Sequence, residues 1–308
     1  MTIKTIVSKA CLRAMLPLAA FVGLILPASA EDDVFLWQVE SASNTVYLLG
    51  SIHLLRETDY PLSQPIQAAL EDAEAVVFEI DIAESKSPQT AETFVQAALP
   101  DNPDEVLYNV LDDETYRLAE ETIAEIGLPF TGFNNFEPWV LYLSLVDMQA
   151  LQLGFKPEYG VDAYLFEQAN LADKDILTLE TVEEQIGFFD DLSTPIQADL
   201  VRQTLLELDT FETSMETMVA AWKSGDISAF ESVVLDGIDD FPEVYDALLV
   251  QRNQNWITNI EAFIDRSDDY LVVVGAAHLI GEDSVIQLLK DKGYTVEQAR
   301  NSSEGRAL

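Results

Sequence analysis

The chain reads as a mixed α/β protein in which strands at both ends of the sequence frame a long helical middle. Three observations predict this. Short β-branched and aromatic runs gather before residue 81 and after residue 269, 3.6-residue apolar periodicity fills most of the interval, and one strand-to-loop phrase occurs twice. The expected architecture is a central mixed β-sheet carrying two strand–GxxH–helix–strand units, with the middle helices covering the sheet and walling a pocket.

The first thirty residues hold the three parts of a secretory signal: basic Lys4, Lys9 and Arg13, an apolar stretch from Ala14 to Leu26, and Ala28-Ser29-Ala30. Cleavage after Ala30 and a periplasmic or secreted destination are expected. The apolar run is shorter than the ~20 residues of a spanning helix, is broken by Pro17, and is followed by Pro27 and Glu31-Asp32-Asp33, so no stable membrane anchor is expected. Cys11, the one cysteine, lies inside the segment to be removed, which leaves no disulfide, thiol nucleophile or lipid anchor. Residues 31–308 are long enough for a sizeable core and are expected to form one domain.

The elements follow in order. Val34 to Val39 and Thr45 to Leu49 read as a hairpin across Ser41-Ala42-Ser43-Asn44. After Gly50 come a loop with Pro61 and Pro65, a helix near Ile66 to Ala73, and an apolar strand from Ala75 to Ile80. Helical periodicity then marks Ala91 to Leu99, Asp113 to Ile126, Pro138 to Leu153, Asp162 to Ala169, Val182 to Phe189, Ile196 to Lys223 and Pro242 to Ile264. Only Ile176 to Leu179 interrupts this stretch as a strand. A strand at Tyr270 to Val274, a helix from Asp283 to Lys290 and a last strand at Tyr294 to Val296 close the pattern.

Charge narrows the partners. Sixteen basic residues face fifty-five acidic ones, a formal net charge of −39, which disfavours nucleic acid and anionic lipid while attracting divalent cations. No G-x-S-x-G elbow, Walker loop, H-E-x-x-H helix or paired C-x-x-C appears, so serine-triad, nucleotide-binding and zinc-ribbon chemistry lose their usual signatures.

The repeated phrase is Val46-Tyr47-Leu48-Leu49-Gly50-Ser51-Ile52-His53 and Val272-Val273-Val274-Gly275-Ala276-Ala277-His278. With 13 Gly in 308 residues, two histidines both preceded by Gly at the third position arise by chance on the order of 0.2% of the time, so the pair is read as functional. Glycine there permits positive φ and close backbone approach. His53 and His278 would then stand at carboxyl ends of strands, where open α/β sheets bind ligands. Two such imidazoles could bind a divalent cation or activate water directly. Glu79 and Glu180 each end an apolar run, where a buried acid needs a partner. Arg252, beside Asn253 on the helix leading to the second histidine strand, could clamp a carboxylate, stabilise an oxyanion or form a structural ion pair. Asp162 reads as a helix N-cap. Phe133, Phe136, Trp139, Tyr142, Phe188 and Phe189 read as core packing.

These motifs, taken with Tyr60-Pro61-Leu62, Glu158-Tyr159-Gly160-Val161-Asp162 and Leu179-Glu180-Thr181-Val182-Glu183-Glu184-Gln185, make the chain resemble the TraB/PrgY/GumN group, which includes the TIKI metalloproteases. The resemblance runs over nearly the whole of residues 31–308 and implies a fold akin to erythromycin esterase and ChaN-like proteins. It also implies that His53, His278 and Glu79 associate with a divalent metal ion, manganese, cobalt or zinc, and that Glu79, Glu180 and Arg252 serve catalysis. The function so implied is an exported metal-dependent hydrolase acting on a peptide or small-molecule substrate. Two alternatives stay open: a metal-independent esterase using the same histidines, and a non-enzymatic binder of haem, metal or polysaccharide. Oligomeric state is not legible.

Overall fold

β-Branched and aromatic residues open the chain as the expected hairpin. In the computed structural model, which describes residues 33–235, 238 and 241–301, β1 (Asp33–Glu40) pairs antiparallel with β2 (Thr45–Ser51). The export signal expected at residues 1–30 lies outside the described residues. The turn is anchored by Asn44, whose side-chain amide donates to the carbonyls of Phe263 at 2.9 Å and Asp268 at 2.8 Å.

The chain continues through α1 (Gln64–Asp72), β3 (Ala75–Phe78), α2 (Ile82–Ser85), α3 (Pro88–Ala97), α4 (Leu107–Val110), α5 (Asp113–Glu125), α6 (Pro138–Gln152) and α7 (Val161–Leu171). It proceeds through β4 (Asp175–Thr178), α8 (Val182–Asp190), α9 (Thr194–Ser224), α10 (Ile227–Val234), α11 (Pro242–Tyr245), α12 (Gln251–Ile264), β5 (Tyr270–Gly275), α13 (Val285–Asp291) and β6 (Glu297–Arg300). Local chemistry sets the ends. Asp112 accepts the N–H groups of Glu114 and Thr115 to start α5, a Thr181/Glu184 capping box starts α8, and Gly225 at φ 67° stops α9.

The six strands form one mixed sheet in the order β4-β3-β5-β2-β1-β6. The neighbours β4, β3, β5 and β2 run parallel, whereas β1 is antiparallel to both β2 and β6. Both repeated units therefore return parallel strands, β2 to β3 through α1 and β5 to β6 through α13. The inner parallel strands carry continuous buried apolar runs: Leu48, Leu49, Val76, Val77, Leu271 and Val272 are fully buried. From the middle section, α9 lies against this sheet, and the Trp222 indole donates to the Gly50 carbonyl at 2.7 Å. Away from it, α5, α6 and α9 share a second apolar cluster around Leu141 and Val201. No described helix is long and apolar enough to cross a membrane.

Three expectations shift. The strand expected over Ala75 to Ile80 ends at Phe78, because the Glu79 carbonyl leaves the ladder to accept the N–H of Glu180 at 2.8 Å. The last strand lies at Glu297–Arg300 rather than Tyr294 to Val296: Tyr294 and Val296 pack on the core, while the edge strand is tied to β1 by polar groups, including Arg300 to Asp33 at 3.1 Å. The helix expected over Pro242 to Ile264 is interrupted by a π-turn at Asp246–Val250, directly before Arg252.

Candidate active site

Four parallel strands deliver four of the five candidate residues to one sheet edge. β2 leads to His53, β3 to Glu79, β4 to Glu180, and β5 enters a 3-10 turn, Ala276–Leu279, that carries His278. Since β2 and β5 are neighbours, with Ser51 opposite Gly275, the two G-x-x-H phrases leave the sheet side by side. Arg252 comes from the first turn of α12 and lies under the group.

Gly275 marks where the side chains converge. A Cβ built there would stand 3.4 Å from Glu79 Oε1, 3.5 Å from His278 Cδ2 and 3.7 Å from His53 Nε2. At Gly50 a Cβ would come within 3.0 Å of the Ala276 backbone and 3.1 Å of Phe35. Neither glycine adopts positive φ; close backbone approach is the operative reason at Gly50, whereas at Gly275 the missing side chain leaves open the space that the site residues surround.

His53 Nδ1 lies 3.0 Å from Asp162 Oδ2, and since a carboxylate only accepts, Nδ1 carries the hydrogen and Nε2 is left facing the cleft. The Asp162 charge pushes the imidazole up to about 9, while the His53 side chain itself stays 59% exposed. Asp162 is therefore not the N-cap that its sequence position suggested. Gly160 occupies that place, and Asp162 turns from the first turn of α7 toward His53. The same segment is drawn in by the Val161 N–H, which donates to the Ile52 carbonyl at 2.9 Å.

His278 is the opposite case. Burial pushes its imidazole down to about 3, so the ring is neutral. Nδ1–H donates to Asn253 Oδ1 at 2.7 Å, Nε2 accepts from Arg252 Nη1 at 3.1 Å, and the Trp256 ring packs at 4.4 Å. Glu79 accepts from the Gly275 N–H at 2.6 Å through Oε1, and from Arg252 Nη2 at 2.7 Å and Gln185 at 3.1 Å through Oε2. Burial alone would raise its carboxyl, but Arg252 foremost among its partners outweighs that and holds it at about 2.

Arg252 is the hub. Nε and Nη2 bond Glu180 at 3.0 and 2.9 Å, Nη2 also reaches Glu79, and Nη1 serves His278 and the Leu248 carbonyl at 3.2 Å. All five N–H donors are thus engaged. Of the roles left open by sequence, the ion pair within the protein is the one observed, and no donor remains for a substrate oxygen. Glu180 is completed by the Trp256 indole at 2.8 Å. Sequence reasoning gave no role to Gln185, Asn253 or Ser51, although each lies within or beside a motif it singled out. Ser51 Oγ and Asp162 Oδ1 are buried without a hydrogen-bond partner among the described residues.

A cation meets a partial donor set here. His53 Nε2 and Glu79 Oε1 lie on the same side of Gly275, and the Asp162–His53 pair resembles the support that metal-binding imidazoles receive, although Nε2 must first lose its proton to ligate. His278 Nε2, however, is occupied by Arg252, and among the described residues no group of three or more His, Cys, Asp or Glu side chains is spaced to hold a metal ion.

Two cavities, of about 390 and 420 Å³, meet over Ser51, His53, Glu79 and Gln185. Phe188 and Phe189 line the larger, so these two are not the plain core residues that their spacing suggested, whereas Trp139 is fully buried.

The TraB/PrgY/gumN family model matches residues 35–298. The chain belongs to this family. Among the relatives of this TraB/PrgY/gumN chain, the uncharacterized protein YbaP of Escherichia coli (strain K12) is 28% identical over 244 residues, covering 79% of this chain and 87% of that protein. Metalloprotease TIKI2 of Xenopus tropicalis is 25% identical over 88% of this chain, which spans 61% of the TIKI2 length. The metalloprotease TIKI homolog of Amphimedon queenslandica is 22% identical over the same 88%, with 62% of its own length covered. No solved structure matches.

Proposed function

We propose that this chain is a hydrolase of acyl bonds, with peptides as its substrate class. The observation that carries the reading is the meeting of His53 Nε2 and Glu79 Oε1 over Gly275, at the waist of a cleft. The metalloprotease names of the TIKI relatives, at 22 to 25% identity, support a peptidase relation.

A carbonyl lying over Gly275 is attacked by a water oriented by Glu79. As the C–O bond forms, Glu79 takes the water's proton; as the C–N bond breaks, His53 Nε2–H protonates the departing amine. Asp162 holds the ring for that transfer. Arg252 and Glu180 act through others, fixing the Glu79 carboxylate and the neutral His278. When bound, a divalent cation supplies Lewis acidity and a water of lowered pKa. His53 and Glu79 are the residues that would hold it, with His53 then giving up its Nε2 proton and its part as the acid, and His278 would join only if Arg252 released Nε2. Residues 1–30, read as an export signal, put this activity in the periplasm or the medium.

The test is to purify untagged protein, measure bound manganese, cobalt and zinc, and follow peptide cleavage in the wild type, His53→Ala and Glu79→Gln. Cleavage falling by about 10²-fold or more in both variants is expected; unchanged turnover in both overturns the reading. The Arg252–His278 contact favours one rival, ion-independent ester cleavage, which full activity on ester substrates after exhaustive chelation would select.

A further inference from the structure

Large apolar side chains left partly open to water in a concavity call for a reason, because burying each contributes about 1.5–3 kcal/mol. The 420 Å³ cavity beside His53 is walled by Phe188 and Phe189 of α8, Met215 and Met218 of α9, Val234 of α10 and Leu248 of the π-turn, and all six are only partly buried. Elsewhere the described residues also leave apolar side chains exposed, as at Leu171 and Leu206, but these six line one cavity together. Four separate elements converge to make the wall, and its floor is the site itself: Glu79, Arg252, Gly275 and His278. The second cavity, which shares His53 and Glu79, mixes apolar Phe78, Ile80 and Ile82 with Ser85, Lys86 and Glu158.

We infer that the cleft binds an extended peptide across the waist, with a bulky apolar side chain next to the cleaved bond seated among Phe188, Met215 and Met218. This rests on the hydrolase reading and deepens it. The open arm on each side of His53 fits a chain that continues in both directions, so the bond cleaved is internal rather than terminal. Methionine suits such a wall because its flexible thioether adapts to Leu, Phe or Met side chains alike. Selection is therefore for apolar bulk and not for one residue type.

Binding and cleavage test this separately. The affinities of N-acetyl-phenylalanine amide and N-acetyl-glycine amide are measured by calorimetry on the full chain carrying Glu79→Gln, where turnover plays no part. In the active chain, blocked peptides differing only in Phe or Gly at the residue before or after the cleaved bond are compared. The phenylalanine probe is expected to bind roughly tenfold tighter or more, and Met218→Glu, or the milder Met215→Gln, should reduce that preference at least threefold with an unchanged circular dichroism melt. Equal affinity, no binding of either probe, or a preference that survives both substitutions overturns the inference. Selective binding with no cleavage of any peptide retires the hydrolase reading instead and leaves the apolar arm standing.

Discussion

Arg252 donates every N–H it has to groups of its own protein, within a site whose Arg252, Glu79 and Glu180 side chains are each at most 8% exposed. Removing one partner of such a buried cluster leaves uncompensated charge, so Arg252→Ala is expected to cost about 3–5 kcal/mol in urea unfolding. Arg252→Lys should recover little, since an ammonium cannot form the two-pronged contact with Glu180. Ser51→Ala goes the other way: it removes a buried hydroxyl without a partner and should be neutral or slightly stabilising. His53 gives a cleaner readout, because the chain holds two histidines and burial keeps the other at about 3. Asp162→Asn should bring the His53 titration, followed by imidazole NMR, from about 9 down toward 6.5; a titration that stays put refutes the assigned cause. The histidines and glutamates were legible in sequence because each follows a recognisable apolar strand. Asp162 was not, because an acid in the first turn of a helix has a local explanation, and only the folded chain shows it reaching a residue 109 positions away.

At the scale of elements, two glycines make contrasting predictions. A Cβ at Gly160 would stand 2.3 Å from the His53 carbonyl oxygen and 2.7 Å from Asp162 Oδ1, so Gly160→Ala must push α7 off the His53 loop. A loss of about 1–3 kcal/mol is expected, together with a fall in the His53 titration. Gly275→Ala meets only ordinary contacts of 3.4 to 3.7 Å at φ −52° and ψ 137°, a conformation open to alanine. It should fold as well as the wild type, or better by about 0.4–1 kcal/mol, yet lose the proposed hydrolysis by blocking the space over which the site converges. Retained activity in a folded Gly275→Ala chain counts against that location. Most helices were readable because caps and 3.6-residue periodicity agree, as at Asp112 and Thr181. β6 was not, since an edge strand held by Arg300 and Gln298 needs no apolar run.

For the molecule as a whole, the site's ionisations confine it to a pH window. The His53 carboxylate pairing raises the folded pKa, so its contribution is complete below 6.5 and is lost as pH rises through about 9. Glu79 is lowered, so its contribution is complete above 4.5 and is lost as pH falls toward about 2. The stability difference between wild type and Asp162→Asn should accordingly shrink between pH 6.5 and 9, measured by denaturant midpoints. A formal charge of −39 adds self-repulsion, and raising salt from about 0.01 to 0.15 M should increase stability.

The strand order carries one more consequence. β5 enters the sheet between β3 and β2, both of which precede it by some two hundred residues. A nascent polypeptide that has not yet emerged past residue 275 has a gap at the centre of its sheet and only one of its imidazoles in place. Immaturity and incompleteness thus coincide: closure of the sheet and assembly of the candidate site wait for the same strand.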